Sequence, residues 1–150
     1  MFFVDRDLGP TVAGLLREGG LEVRLHNEIF TEKSAQDSVA DEIWIRHCGL
    51  NGWVALTRDN DLTRTPSSVA AAMESGARLF VLRGAMRFPD LARQFVDARE
   101  KVERFLAYHR TAFIAKVKRE TFPRGGGRFM VQVELFLDYE TWKARSEGRR

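Results

Sequence analysis

The sequence predicts an α/β protein in which a mainly parallel sheet is flanked by helices and followed by a C-terminal β-hairpin. Three observations lead there. Short apolar runs alternate with helix-like stretches through the first 110 residues, the pattern that right-handed crossovers between parallel strands produce. Two of those runs end in acids: Asp5 and Asp7 follow FFV, and Asp59 and Asp61 follow WVALT. From Phe113 the apolar period changes to two, in FIAKVKR and again in RFMVQVELF.

Residues 2–5 read as the first strand. Pro10 and Thr11 open a helix that Gly19 and Gly20 stop, since proline suits a first helical turn and glycine the position after the last. LEVRLH is the second strand, and NEIFTEKSAQ a polar loop. In SVADEIWIRHCGLNG, Val39, Ile43, Trp44, Ile45 and Leu50 recur at mostly helical spacing, Ser38 with Asp41 resembles a capping box, and Gly49 or Gly52 supplies the stop. WVALT is the third strand. Thr65 and Pro66 cap and open a helix that Gly76 closes, ARLFVLRG is the fourth strand, and Pro89 starts the longest helix, with Leu91, Phe95, Val102, Phe105 and Leu106 near a 3.6-residue period. PRGGG turns the hairpin, and the basic tail KARSEGRR is expected to fray.

A chain of 150 residues with 44% hydrophobic and 30% charged residues has the size of one domain, 1–150, with its core to about residue 110 and the hairpin and tail from about 111. No stretch approaches the roughly 18 apolar residues of a spanning helix and no leader pattern opens the chain, so a cytoplasmic protein without a membrane partner is expected. Cys48, a lone cysteine, is expected to be an inert core residue. The net charge of +3 is unevenly spread: residues 1–62 carry 6 Lys/Arg against 11 Asp/Glu, and residues 63–150 carry 18 against 10. An acidic cluster for a divalent cation beside a basic surface for a polyanion fits a metal-dependent nuclease, although solvated faces give the same totals.

Parallel sheets bind ligands beyond the carboxyl ends of their strands, where strand order reverses. With the strand order 2-1-3-4, Asp5 and Asp59 come within one or two strand spacings, ~5–10 Å. Asp41 and Glu42 add acids from the middle helix, although about 100° separates them around its axis. Magnesium and manganese take hard oxygen ligands and keep several waters, so one to three carboxylates suffice. Structural roles compete at each position: Asp5 or Asp7 as a helix cap, Asp59 or Asp61 in an Asx turn, and Asp41 as a first-turn acid. His26, His47 and His109 have no partner at zinc-ligand spacing, no phosphate-cradling glycine loop is present, and no serine or cysteine has a nucleophile-elbow context.

VDRDLG after the first strand, DEIW in the middle helix and VALTRDNDL after the third strand resemble the compact PIN-like proteins related to VapC toxins, over about residues 2 to 83. The resemblance implies a three-layer PIN-like fold and a site for Mg²⁺ or Mn²⁺. It makes Asp5 the first metal-site acid, Asp41 the helix acid, Asp59 the acid of the TRD motif, Asp61 a fourth acid and Asp7 a further position that need not be acidic. Larger PIN domains carry another acid, usually glutamate, in an additional helix; no counterpart is clear here, which leaves one or two ions open. The family implies a ribonuclease, and for VapC-like members the toxin of a toxin–antitoxin pair, blocked by a cognate antitoxin protein; a homodimer would suit exposed apolar surface.

On this reading Arg6, Arg58, Arg64, Arg83 and Arg87 lie nearest the crevice and would hold the RNA, with Lys116, Lys118, Arg119, Arg124 and Arg128 extending the basic surface. Two other classes stay open. One is a non-catalytic PIN-like module that binds RNA or protein. The other is a phosphatase of the haloacid dehalogenase type, for which VDRDLGPT offers the D-x-D opening but FVLRGAMRF lacks the distal lysine and acidic pair.

Overall fold

A computed structural model describes residues 1–31, 40–121 and 129–148. The expectations for Ser38, Val39, the PRGGG turn, Arg124, Arg128 and the last two residues of the tail lie outside the described residues. In chain order the elements are β1 (Phe2–Val4), α1 (Gly9–Glu18), β2 (Val23–Leu25), α2 (His26–Ile29), α3 (Asp41–Asn51), β3 (Val54–Thr57), a 3₁₀ turn (Asn60–Arg64), α4 (Pro66–Ser75) and β4 (Arg78–Leu82). There follow α5 (Phe88–Asp97), α6 (Arg99–Tyr108), β5 (Phe113–Thr121), β6 (Phe129–Asp138) and α7 (Tyr139–Glu147).

The strands form one six-stranded sheet in the order β2-β1-β3-β4-β5-β6. Every junction from β2 to β5 is parallel, and β5 with β6 is antiparallel. The expected order 2-1-3-4 is therefore present. The hairpin is more than an extension, because β5 lies parallel to β4 and carries the same sheet onward.

Strand alternation divides the core. Phe3, Ala55, Leu79 and Ile114 stand in register and join Trp44, Ile45, Cys48, Ala72 and Met73 on the α3–α4 face. Their neighbours Val4, Leu56, Phe80 and Ala115 join Val12, Leu16, Leu91, Phe95 and Val102 on the face covered by α1, α5 and α6. Burying one such Leu or Phe contributes roughly 1.5–3 kcal/mol, so a strand as short as β1 is held by Phe3 and Val4, both 0% exposed. The consequence for function is positional: the carboxyl ends of β1, β3, β4 and β5 open on one edge of the sandwich.

Several local expectations are corrected. The long helix from Pro89 is two helices, α5 and α6, broken at Ala98 (φ −84°, ψ 4°) without proline or glycine. Residues 26–29 of the expected strand end and loop form α2, where Glu28 Oε1 accepts the Leu25 N–H at 2.7 Å. Ala40 occupies the cap position of α3, with no side-chain cap. Thr65 holds the cap position of α4, but its hydroxyl donates to Asp61 O at 2.9 Å instead of capping. The expected frayed tail is largely α7, whose start Asp138 caps by accepting the Thr141 N–H at 2.8 Å. Gly49 lies inside α3 and does not stop it: a Cβ there would meet Ser75 Oγ at 2.1 Å, so glycine lets α3 and α4 approach. Gly52 ends the helix. Among the described residues no helix is long and apolar enough to cross a membrane.

Candidate active site

The chain reverses its direction of travel across the sheet between β1 and β3, because β2 lies on one side of β1 and β3 on the other. A crevice forms where two loops leave such a switch point in opposite directions. Asp5, the residue after β1, stays in the ladder: its N–H donates to Leu56 O at 2.9 Å. It is 7% exposed, and among the described residues the other buried polar side chains carry no carboxylate.

The side chain of Asp5 is held on both oxygens. Oδ1 accepts the Arg6 N–H at 2.7 Å, and Oδ2 accepts the hydroxyl of Thr57, the last residue of β3, at 2.8 Å. Thr57 is 0% exposed and also accepts the Asp59 N–H at 3.1 Å, so one hydroxyl ties the first acid to the backbone that carries the third-strand acids. Asp7 comes to the same place. Its Oδ2 lies 3.3 Å from the Thr57 hydroxyl and accepts the Arg58 N–H at 3.1 Å.

Burial raises the Asp5 carboxyl from 3.8 to about 7; Asp7 and, more weakly, Asp41 push the same way, against the hydrogen bonds from Thr57 and Arg6. Asp7 sits at the exposed mouth of the crevice. Its carboxyl group is raised too, first by partial burial and then by Asp59, against hydrogen bonds from Arg58, Thr57 and Asp5. Asp7 thus disfavours ionisation of Asp5, since two adjacent carboxylates resist joint ionisation without a compensating cation.

The helix acid arrives from the α3 end. Asp41 is the first residue of α3, and its Oδ1 accepts the indole N–H of Trp44 at 3.0 Å, while Trp44 is anchored against Phe3 with ring centroids 5.5 Å apart. Asp59 uses Oδ1 to accept the Asp61 N–H at 2.9 Å, the Asx-type turn that opens the 3₁₀ segment. Asp61 turns outward to Arg64, at 3.0 Å in an exposed pair. The structural alternative for the first two acids has no support in α1, whose cap position is Leu8 without a side-chain cap.

The acids thus form a chain, Asp41 to Asp5 to Asp7 to Asp59, linked by repulsion between neighbours. Among the described residues no three His, Cys, Asp or Glu side chains stand together as a preformed metal-binding group. The donor chemistry is oxygen only at Asp5 and Asp7, which fits an ion such as Mg²⁺ or Mn²⁺ that binds through one or two carboxylates and keeps its waters.

Of the arginines, Arg58 is spent largely inside the protein. Its guanidinium donates to Gly84 O and Met86 O, each at 3.3 Å, and lies 5.3 Å from the centroid of the Phe88 ring. Arg64 is engaged by Asp61. Arg6, Arg83 and Arg87 are exposed, and Arg6 lies close enough to His26 to hold its imidazole below the ordinary value, behind burial as the main cause. On the hairpin, Lys118 pairs with Glu134 and Lys116 lies over Phe136. Cys48 is fully buried, and burial pushes its thiol far up, as expected of an inert core cysteine.

Sequence reasoning took Thr57 only as the Ser/Thr end of VALT that the phosphatase reading needs, and it passed over Phe88. Thr57 had a signal, a hydroxyl at the end of an otherwise apolar β3; Phe88 had none.

Residues 1–84, from β1 to just beyond β4, match the family described as PIN like domain. The chain belongs to the PIN-like domain family. Its PIN-like part is also similar to the protein named "Putative ribonuclease VapC45" from Mycobacterium tuberculosis (strain ATCC 25618 / H37Rv), 37% identical over 79 residues. That alignment takes in 52% of this chain and 56% of the relative, so the chain spans a little over half the length of the curated relative it matches. No solved structure matches the chain significantly. The PIN-like match covers the four parallel strands that build the crevice, whereas α5 to α7 and the β5–β6 pair lie beyond it.

Proposed function

We propose that the protein is an endoribonuclease that hydrolyses RNA phosphodiester bonds with Mg²⁺ or Mn²⁺ held at Asp5 and Asp7, with Asp41 and Asp59 completing the acidic wall. The observation that carries this reading is the buried Asp5 carboxyl, which meets Asp7 at the hydroxyl of Thr57. Keeping such a group ionised at neutral pH calls for a cation, and the carboxyl's hydrogen bonds to Thr57 and Arg6 keep it aimed. A bound cation would supply charge neutralisation on the phosphate and a more acidic water.

The chain's own residues do the rest. Asp5 and Asp7 would hold the cation at the end of β1. Asp59, whose Oδ1 is taken by the Asp61 N–H, keeps its other oxygen to hold or accept a proton from water. Arg87 and Arg83 meet backbone phosphates. Asp61, turned to Arg64, is the least suited of the acids to a direct part.

Membership of the PIN-like family and the similarity to a protein named as a VapC ribonuclease support the further reading of a cytoplasmic toxin neutralised by an antitoxin protein. A homodimer belongs to the same reading. The experiment is incubation of purified protein with single-stranded and structured RNA, with and without Mn²⁺, beside Asp5→Asn and Asp7→Asn. Cleavage that requires Mn²⁺ and falls at least 100-fold in Asp5→Asn is expected; equal cleavage in both variants would overturn the site. Co-expression with the product of a neighbouring small reading frame, scored by relief of growth arrest, tests the toxin role.

One observation favours a second reading. Because no three acids stand together among the described residues, a PIN-like module that binds RNA without cutting it fits the same fold. RNA binding that persists in EDTA with no cleavage at any Mn²⁺ concentration would establish it instead.

A further inference from the structure

A cavity of about 390 Å³ lies beside the acidic crevice, lined by Thr11, Arg58, Arg87, Phe88 and Pro89. We propose that this cavity receives one unpaired nucleobase of the bound strand, stacked on the Arg58–Phe88 pair. The proposal rests on the reading of the crevice as a site of RNA cleavage.

The pair is built for stacking. Phe88, the first residue of α5, is 37% exposed, so part of its ring faces solvent. Arg58 lies over its ring, and the two carbonyls of Gly84 and Met86 hold the guanidinium in place. A guanidinium fixed against an aromatic ring presents a flat, cationic surface that is already ordered before any ligand arrives. Bases stack on aromatic rings and on arginine planes with little sequence preference, because every base has a π-face.

The loop that supplies those carbonyls is itself constrained. Gly84 has φ +129°, a backbone conformation that side-chain-bearing residues rarely adopt.

Position and size point the same way. Arg58 joins the two sites: its N–H binds Asp7, and its side chain lines the cavity. A phosphate at Asp5 and Asp7 would therefore have the next base within one arginine's length. The pocket is shallow and open, wide enough for one flat base to lie against its wall, whereas the bases of a duplex already stack on their neighbours. Arg87 is exposed at the rim to meet the adjoining phosphate, and the Thr11 hydroxyl offers an edge contact.

The test uses an oligoribonucleotide carrying one 2-aminopurine, titrated in EDTA as a single strand and as a duplex, followed by the fluorescence of the modified base. Stacking predicts quenching of the single strand by the wild-type protein. Phe88→Leu should weaken single-strand binding about tenfold and remove the quench, while Phe88→Trp restores both. Arg87→Gln should lower the dependence of single-strand affinity on salt by about 0.7 in the log–log slope. Duplex affinity should be the same in wild type and Phe88→Leu. Unchanged single-strand affinity in a folded Phe88→Leu protein, or an equal loss for duplex, overturns the proposal. Cleavage with Mn²⁺ is scored separately. Quenching that depends on Phe88 without cleavage removes the nuclease reading and keeps the base site; cleavage without dependence on Phe88 does the reverse.

Discussion

The Thr57 hydroxyl donates to Asp5 Oδ2 at 2.8 Å across the junction of β3 and β1, and accepts the Asp59 N–H at 3.1 Å from its own loop. Asp5 and Thr57, 52 positions apart in the sequence, are thereby joined directly, and the same oxygen holds the Asp59 backbone. Hydrogen bonds to buried charged groups are worth more than the usual ~1 kcal/mol, and an orphaned partner costs its desolvation. Thr57→Val keeps the shape and deletes both bonds. It should destabilise by about 1–3 kcal/mol in urea unfolding and lower RNA cleavage at least tenfold, whereas Thr57→Ser, which keeps the hydroxyl, should recover most of the activity.

Asp5 gives the protein a pH dependence whose sign can be worked out. Its carboxyl is raised from 3.8 to about 7 by burial and by Asp7, so between those values the folded chain holds a proton that the unfolded chain has lost. Stability in EDTA should therefore fall as pH rises from about 4 to about 7 and then level off. In Asp5→Asn the new amide can donate to Asp7 and the slope should flatten, with a gain of roughly 1–4 kcal/mol at pH 8. Denaturant midpoints at pH 5 and pH 8 measure this. Added Mn²⁺ should raise the wild-type midpoint at pH 8 and leave that of Asp5→Asn nearly unchanged.

Asp59 and Asp61 look alike in the run RDND, yet the structure separates them. Asp61 forms an exposed pair with Arg64, the kind of ion pair worth 0–1 kcal/mol at most. Asp61→Asn should change stability by less than about 0.5 kcal/mol and cleavage by less than about threefold. Asp59→Asn should lower cleavage by about 100-fold under the same Mn²⁺ conditions.

What was legible in the sequence is what periodicity and punctuation encode. The continuous apolar runs FFV, VALT and RLFVL, with helices between, read as buried parallel strands, and the order 2-1-3-4 common to such sheets, which the structure has, puts the acids after β1 and β3 at the switch point. The break at Ala98 was hidden, since Phe95 and Val102 keep the apolar face running through it without proline or glycine. The join of β5 to β4 was hidden too: a period-two segment reveals which face it buries but not which strand lies beside it. The outward turn of Asp61 depends on the 3₁₀ segment and on Arg64 three residues on, a choice between equivalent acids that spacing does not make.

Trp44 illustrates how core packing reaches the site. Its indole N–H donates to Asp41 Oδ1 at 3.0 Å while its ring lies buried against Phe3, so the orientation of the helix acid is set by the hydrophobic core. Trp44→Phe keeps an aromatic in the core and removes the donor. Lost packing volume and the missing bond should together destabilise by about 1–3 kcal/mol. If Asp41 serves the reaction only when aimed by Trp44, cleavage should fall about tenfold with the affinity for RNA unchanged, and Asp41→Asn in the Trp44→Phe background should add less than it does alone, because the two changes act on one interaction. Cleavage in Trp44→Phe equal to wild type, with Asp41→Asn still costly, would show that Asp41 holds its place without the indole.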